Sequence, residues 1–203
     1  MARNDIPNLL SGARIVFAIA VFLGLAAAAG ALPGQAGRPP EAAVRAVAMW
    51  SLAAYVIGSL TDYVDGWLAR RWNAMSAWGA MLDPIADKIA VCGAVVGLAA
   101  LDPRPPIVVA GGVILFREFW VSGLREVGGA RGLKFPVTQL AKWKTTVQLV
   151  SLCLQLLAVA LGDTGPLRLA ADVLLWLAAA ITLWTGWEYT AAAVRGLRAR
   201  AAK

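Results

Sequence analysis

The chain has 203 residues, 60% of them hydrophobic and only 15% charged, with a mean hydropathy of +0.67. A soluble domain of this length needs more charge to cover its surface, so the composition points to an integral membrane protein. The formal net charge is +7 and there is no histidine. Imidazole acid–base chemistry and His metal ligands are therefore excluded, which leaves carboxylates, Lys, Arg or a bound ion to carry any chemistry.

Six membrane-spanning helices are expected, at roughly 8–31, 42–70, 79–101, 106–127, 138–161 and 168–194, in a single all-α membrane domain covering 1–203. The first falls largely within the uncharged run Ile15–Gly37. That run is too long for a signal h-region and reads as a retained span. The second contains the uncharged run Ala46–Thr61 and then meets Asp62 and Asp65. The third opens with Asp83 and Asp87 before turning apolar around Cys92, which reads as a packed thiol, as does Cys153. The fourth carries Arg117 and Arg125 inside an apolar pattern, and the fifth begins near Lys142 and Lys144. In the sixth, Asp172 and Glu188 suggest no more than helix-end placement.

The connections differ in charge. Those near 71–78 and 128–137, with both termini, hold Arg3, Arg70, Arg71, Arg131, Lys134 and the basic tail Arg195–Lys203. The other three are rich in proline (Pro33, Pro39, Pro40, Pro103, Pro105, Pro106, Pro166) and hold few cations. The positive-inside rule then places both termini and the basic connections in the cytoplasm. Trp67, Trp72, Trp78 and Trp143 fall near that boundary, as an aromatic belt would. In a chain this apolar the basic clusters read as a surface facing anionic membrane lipids, not as a nucleic-acid site.

Four aspartates sit where helices two and three should be apolar, and a carboxylate at the bilayer centre costs roughly 2.5–3.5 kcal/mol. Asp62 and Asp65 are at i and i+3, so they share a helix face with Gly66, Ala69 and Arg70. Gly79, Asp83 and Asp87 are spaced i, i+4, i+8 along a second stripe. If helices two and three form an antiparallel hairpin with these stripes facing, four carboxylates converge. Such a group needs cations, and all-oxygen ligation suits hard divalent ions such as Mg²⁺, Mn²⁺ or Ca²⁺. Two close ions would form a site of the kind used in phosphoryl transfer. Gly66 and Ala69 leave space for a bulky group, and Arg70 offers a cation to phosphate. Helix-end anchoring is the plain alternative, and an ion or proton pathway is the alternative of a different class. A transporter, however, places its charges near the midplane.

Asp62-Tyr-Val-Asp65-Gly66-Trp-Leu-Ala69-Arg70, eight residues, Gly79, three residues, Asp83, three residues and Asp87 resemble the full signature of the CDP-alcohol phosphotransferase family, D-x2-D-G-x2-A-R-x8-G-x3-D-x3-D. The resemblance implies a six-helix membrane enzyme, a homodimer, with its site open to the cytoplasmic face of a bacterial cell membrane. Such an enzyme moves a phosphatidyl-type group from a CDP-linked lipid to an alcohol and releases CMP. Carried over by position, Asp62, Asp65, Asp83 and Asp87 would ligate two divalent ions, Mg²⁺ or Mn²⁺. Asp87 would also serve as general base. Asp62, Gly66, Ala69, Arg70 and Gly79 would border the CDP-lipid.

A metal half implies an anion half for an acceptor that itself carries phosphate. Arg117, Arg125, Lys142 and Lys144 supply one, with Glu118 and Glu126 placed to orient them. Two stretches resemble the branch of the family whose donor is CDP-diacylglycerol and whose acceptor is sn-glycerol 3-phosphate. At the start of the chain Ile6, Pro7, Asn8, Leu10 and Arg14 match that branch, while Asp5 replaces Asn and Ser11 replaces Thr. Later, Arg117-Glu118, Leu124-Arg125-Glu126, Lys142, Lys144, Thr145 and Gln148 match, while Ala141 replaces Gly. The resemblance adds Arg14 to the acceptor-phosphate group. Siblings using phosphatidylglycerol or inositol phosphate remain the nearest alternatives.

Overall fold

The computed structural model describes residues 5–72, 77–132 and 139–201. They form six long helices and, among the described residues, no strand: α1 (Asp5–Ala28), α2 (Glu41–Trp72), α3 (Ala77–Leu101), α4 (Gly111–Ala130), α5 (Gln139–Leu161) and α6 (Pro166–Ala201). A single π-helical turn, Pro106–Ala110, runs directly into α4. Each helix contains a stretch long and apolar enough to cross a membrane. With backbone polar groups satisfied inside each helix, this is a viable all-α multi-pass architecture. The expected spans are all present; α6 runs further toward the C-terminus than the sequence pattern suggests.

Pro7 lies in the first turn of α1, where the missing N–H costs nothing. Pro84 is tolerated inside α3. Two helices end by the same device. At Gly30 (φ 74°), the amide of Ala31 donates to the carbonyl of Ala26 and that of Gly30 to Ala27. At Gly162 (φ 64°), Asp163 donates to Ala158 and Gly162 to Val159. These paired bonds satisfy the last carbonyls and require a left-handed residue, hence glycine.

In lipid, helices associate through close packing more than through hydrophobic force. A Cβ on Gly97 would stand 2.8 Å from the Leu25 side chain, and one on Gly93 3.0 Å from the Ala18 carbonyl oxygen. These two glycines let α3 seat tightly on α1. Leu25, Leu98, Ile107, Ile114, Leu152, Leu156 and Leu175 fill the core between helices. The outward surface carries Phe116, Trp50, Trp187 and Leu169, which suit contact with acyl chains.

Among the described residues, α1 packs extensively against both α2 and α3. The side chains of the α2 stripe, residues 62–70, lie outside the described residues, and so does the facing of the two stripes; α1 joins the α3 carboxylates. α6 packs on α4 and α5, and α5 on α2.

A polar network closes the end of the bundle formed by the 102–105 and 162–165 connections. Arg104 donates to Asp102 (2.9 Å), Asp172 (2.5 Å) and Gln155 (3.1 Å), and Gln155 donates to Asp172 (2.8 Å). Arg168 completes it on Asp102 at 2.8 Å. Burial opposes the charge of Arg104, but the hydrogen bonds to Asp172 and Asp102 outweigh it and raise the pKa above its ordinary value. Asp172, which the sequence left as mere helix-end placement, is a tie between α6, α5 and the 102–105 connection.

Candidate active site

Ser11 and Arg14 are one turn apart on α1 and face Asp83 and Asp87, one turn apart on α3. The Ser11 hydroxyl donates to Asp83 Oδ1 at 2.6 Å. Arg14 Nη1 donates to Asp87 Oδ1 at 2.9 Å, and Nη2 to Asp83 Oδ1 at 3.4 Å. The burial is asymmetric: the Arg14 side chain is 3% exposed, those of Asp83 and Asp87 47% and 60%. Arg14 forms a buried floor beneath the two half-exposed carboxylates. Gly58 of α2 leaves room beside the Arg14 stem, where a Cβ would lie 3.7 Å from its Cγ.

A second charged group is built by α4, α5 and α6. Arg117 is buried, with Nε donating to the Thr182 carbonyl (3.1 Å), Nη2 to the Thr185 hydroxyl (2.9 Å) and Nη1 to Glu118 (3.3 Å). Glu118 also accepts from the Lys144 ammonium, so one carboxylate orients two cations. Three N–H groups of Arg117 are engaged, which leaves two of a guanidinium's five for a ligand. Gly186 makes this placement possible, since a Cβ there would stand 3.0 Å from the Arg117 Cγ. Arg125 donates to the Tyr189 hydroxyl at 2.7 Å and lies over that ring at 4.8 Å, with Arg117 5.7 Å from the same centroid. Both distances are within cation–π range.

The two groups share one cavity of about 730 Å³. Arg14 and Asp87 line it, and so do Arg117, Arg125, Lys144 and Tyr189. A volume of this size holds a drug-sized ligand with polar groups at separate points.

The structure thus brings together Arg117, Arg125 and Lys144, and places Arg14 on the α3 carboxylates. Asp62, Asp65, Gly66, Ala69 and Arg70 belong to the last turns of α2, but their side chains lie outside the described residues, as does that of Lys142. Gly79 lies one turn before Asp83 on α3. Among the described residues no three acidic or thiol side chains converge on a metal position. The α6 contribution was missed in the sequence. Thr182, Thr185, Gly186 and Tyr189, spaced i, i+3, i+4, i+7, form one polar face in an otherwise apolar helix, and that periodicity was the available signal. Ser11 stands one turn before Arg14 and was read only as a replacement for Thr.

The CDP-alcohol phosphatidyltransferase family model matches residues 4–184. The chain is 37% identical over 175 residues to the CDP-diacylglycerol–glycerol-3-phosphate 3-phosphatidyltransferase of Cereibacter sphaeroides, covering 69% of this chain and 79% of that one. It is 38% identical over 138 residues to the protein of the same name from Rickettsia bellii (66% and 74% covered). It is also 38% identical over 139 residues to that from Bacillus subtilis (66% and 68%).

Proposed function

Because the chain belongs to the CDP-alcohol phosphatidyltransferase family and is a multi-pass membrane enzyme of that class, we propose that it transfers the phosphatidyl group of CDP-diacylglycerol to sn-glycerol 3-phosphate. The products are phosphatidylglycerophosphate and CMP, which makes it a phosphatidylglycerophosphate synthase. The observation that carries this reading is the shared cavity. Asp87 lines it together with Arg117, Arg125 and Lys144, so one space offers a proton acceptor and a dianion site. The relatives' names point to the same donor and acceptor.

In this reading Arg117, Arg125 and Lys144, with Lys142 nearby in sequence, bind the acceptor phosphate through charge-assisted hydrogen bonds. Glu118 and the α6 hydroxyls fix the directions of those cations. The primary hydroxyl oxygen of the acceptor attacks the phosphorus that carries diacylglycerol. A new P–O bond forms, the P–O bond to CMP breaks, and CMP leaves with the electron pair. Asp87 takes the hydroxyl proton. A carboxylate is a weak base at rest, so this transfer is concerted with attack.

The donor set fits a hard divalent cation: Asp83 and Asp87 are half-exposed carboxylates that already hold the Arg14 cation between them. Asp62, Asp65, Asp83 and Asp87 would hold two such ions, Mg²⁺ or Mn²⁺. When bound, these would neutralise charge on the non-bridging and leaving oxygens. Asp62, Gly66, Ala69, Arg70 and Gly79 border the CDP-lipid. Residues 1–203 act as one domain, which the family match over 4–184 supports. The basic connections and tail support a cytoplasmic site and cytoplasmic termini in a bacterial inner membrane, and the assembly is a homodimer.

The test is CMP release by purified protein supplied with CDP-diacylglycerol and one acceptor at a time. Release that requires sn-glycerol 3-phosphate is expected. Release that ignores it and requires inositol phosphate or phosphatidylglycerol would assign the chain to a sibling activity.

A further inference from the structure

Two glutamines on α5, Gln148 and Gln155, are both buried in the bundle, at 3% and 0% exposure. They stand seven residues apart, so about 10 Å along the helix. Gln155 is fully engaged: its amide nitrogen donates to Asp172 and its oxygen accepts from Arg104. Gln148 is not. Its Oε1 is buried with no hydrogen-bond partner, and the residue lines the cavity. A buried amide oxygen without a partner is costly in an apolar bundle, and a ligand group that donates to it would offset that cost.

Position says which part of a ligand that is. Lys144 lies one turn before Gln148 on the same face of α5 and belongs to the cation group. Asp87 lines the same cavity from α3. An acceptor with its phosphate on the cations and its reacting hydroxyl at Asp87 leaves its middle carbon to the remaining wall. For a three-carbon acceptor, that carbon bears a secondary hydroxyl. We propose that Gln148 is a specificity-determining residue that binds this secondary hydroxyl through its side-chain amide, accepting at Oε1. The proposal rests on the acceptor reading above and adds to it the group that separates a phosphorylated triol from a phosphorylated diol.

The experiment compares sn-glycerol 3-phosphate with 3-hydroxypropyl phosphate, which lacks only the secondary hydroxyl, in the CMP-release assay on full-length protein. Wild type is expected to favour glycerol 3-phosphate by roughly 10–100-fold in kcat/KM, the usual effect of leaving one buried polar group unpaired. Gln148→Met keeps the volume and removes the amide. It should lose that factor on glycerol 3-phosphate and stay within about threefold of wild type on the deoxy compound, so the preference collapses. Equal losses on both acceptors, or an intact preference in Gln148→Met, would overturn the proposal. So would a wild type indifferent to the secondary hydroxyl, an outcome that requires no variant to fold. If wild type releases no CMP with glycerol 3-phosphate, the acceptor reading itself falls, and this proposal with it. That outcome is distinct from the others because it shows in wild type on the natural acceptor.

Discussion

The two ends of the bundle both gather charge inside a membrane protein, and they settle it differently. At the 102–105 and 162–165 end, Arg104 and Arg168 pair with Asp102 and Asp172, and Gln155 bridges Arg104 and Asp172. At the cavity end, Arg117 and Lys144 share Glu118, while Arg125 has a tyrosine hydroxyl and ring but no carboxylate within salt-bridge distance among the described residues. A neutral, closed network fits a structural role. An excess of oriented cations around an open space fits a missing anion. Across the same cavity the buried Arg14 holds two half-exposed carboxylates, Asp83 and Asp87. A site with oriented cations on one wall and half-exposed carboxylates on the other suits a phosphorylated acceptor on the first and divalent cations on the second.

The strongest test of that contrast is chelation. EDTA should abolish CMP release, with Mg²⁺ or Mn²⁺ restoring it, while thermal unfolding in detergent shifts little, because the closed network needs no metal. Full turnover in chelator would remove the two-metal reading. Next in size is Asp87→Asn, expected to lower kcat by about 10²–10⁴-fold, the range for loss of a general base. The protein should remain folded, since the Asp87 side chain is 60% exposed. Near-wild-type turnover in that variant would end the base assignment.

Much of this was legible in the sequence because membrane helices obey a simple length and hydropathy rule. All six spans follow from it, and the cation group follows from Arg117, Arg125 and Lys144 standing in apolar surroundings. What the sequence hid is partnership between distant segments. Asp172 looked bland because its partners, Arg104 and Gln155, are 68 and 17 residues away. A hairpin between helices two and three is the expectation for consecutive elements, and the contact of α1 with α3 is not visible in the pattern. Glycines at 93 and 97 seat α3 on α1 as well, and a one-dimensional pattern does not say which neighbour a small residue faces. Arg14, which the resemblance places with the acceptor-phosphate cations, also bonds Asp83 and Asp87 on α3, a partnership the sequence does not display.

Smaller than the base effect is the loss expected at the closed end. Asp172→Asn removes one carboxylate and leaves Arg104 short of a partner. Breaking a fully buried pair costs about 3–5 kcal/mol. Here the side chains are 18–25% exposed, so about 2–3 kcal/mol is expected. Unfolding in detergent should report that loss, with kcat and KM unchanged at temperatures where the protein is folded. A specific defect in kcat would show that this end also serves the reaction.

The smallest effect, and the sharpest for the comparison, belongs to Arg125. It is exposed, and its bonds are to Tyr189, not to a carboxylate. Arg125→Gln therefore strands no opposite charge, and the stability cost should stay below about 1 kcal/mol. If Arg125 contacts the acceptor phosphate, its removal should raise the KM for glycerol 3-phosphate roughly tenfold, equivalent to about 1.4 kcal/mol. kcat should change little, because the phosphate is bound equally in ground and transition states. Arg117→Gln would not be as clean, since Arg117 also holds Thr182, Thr185 and Glu118, and its loss would mix folding with binding. If instead Arg125→Gln destabilised the protein as much as Asp172→Asn and left KM untouched, its cation would be structural. The distinction between a closed end and a receptive one would then fail at the residue chosen to show it.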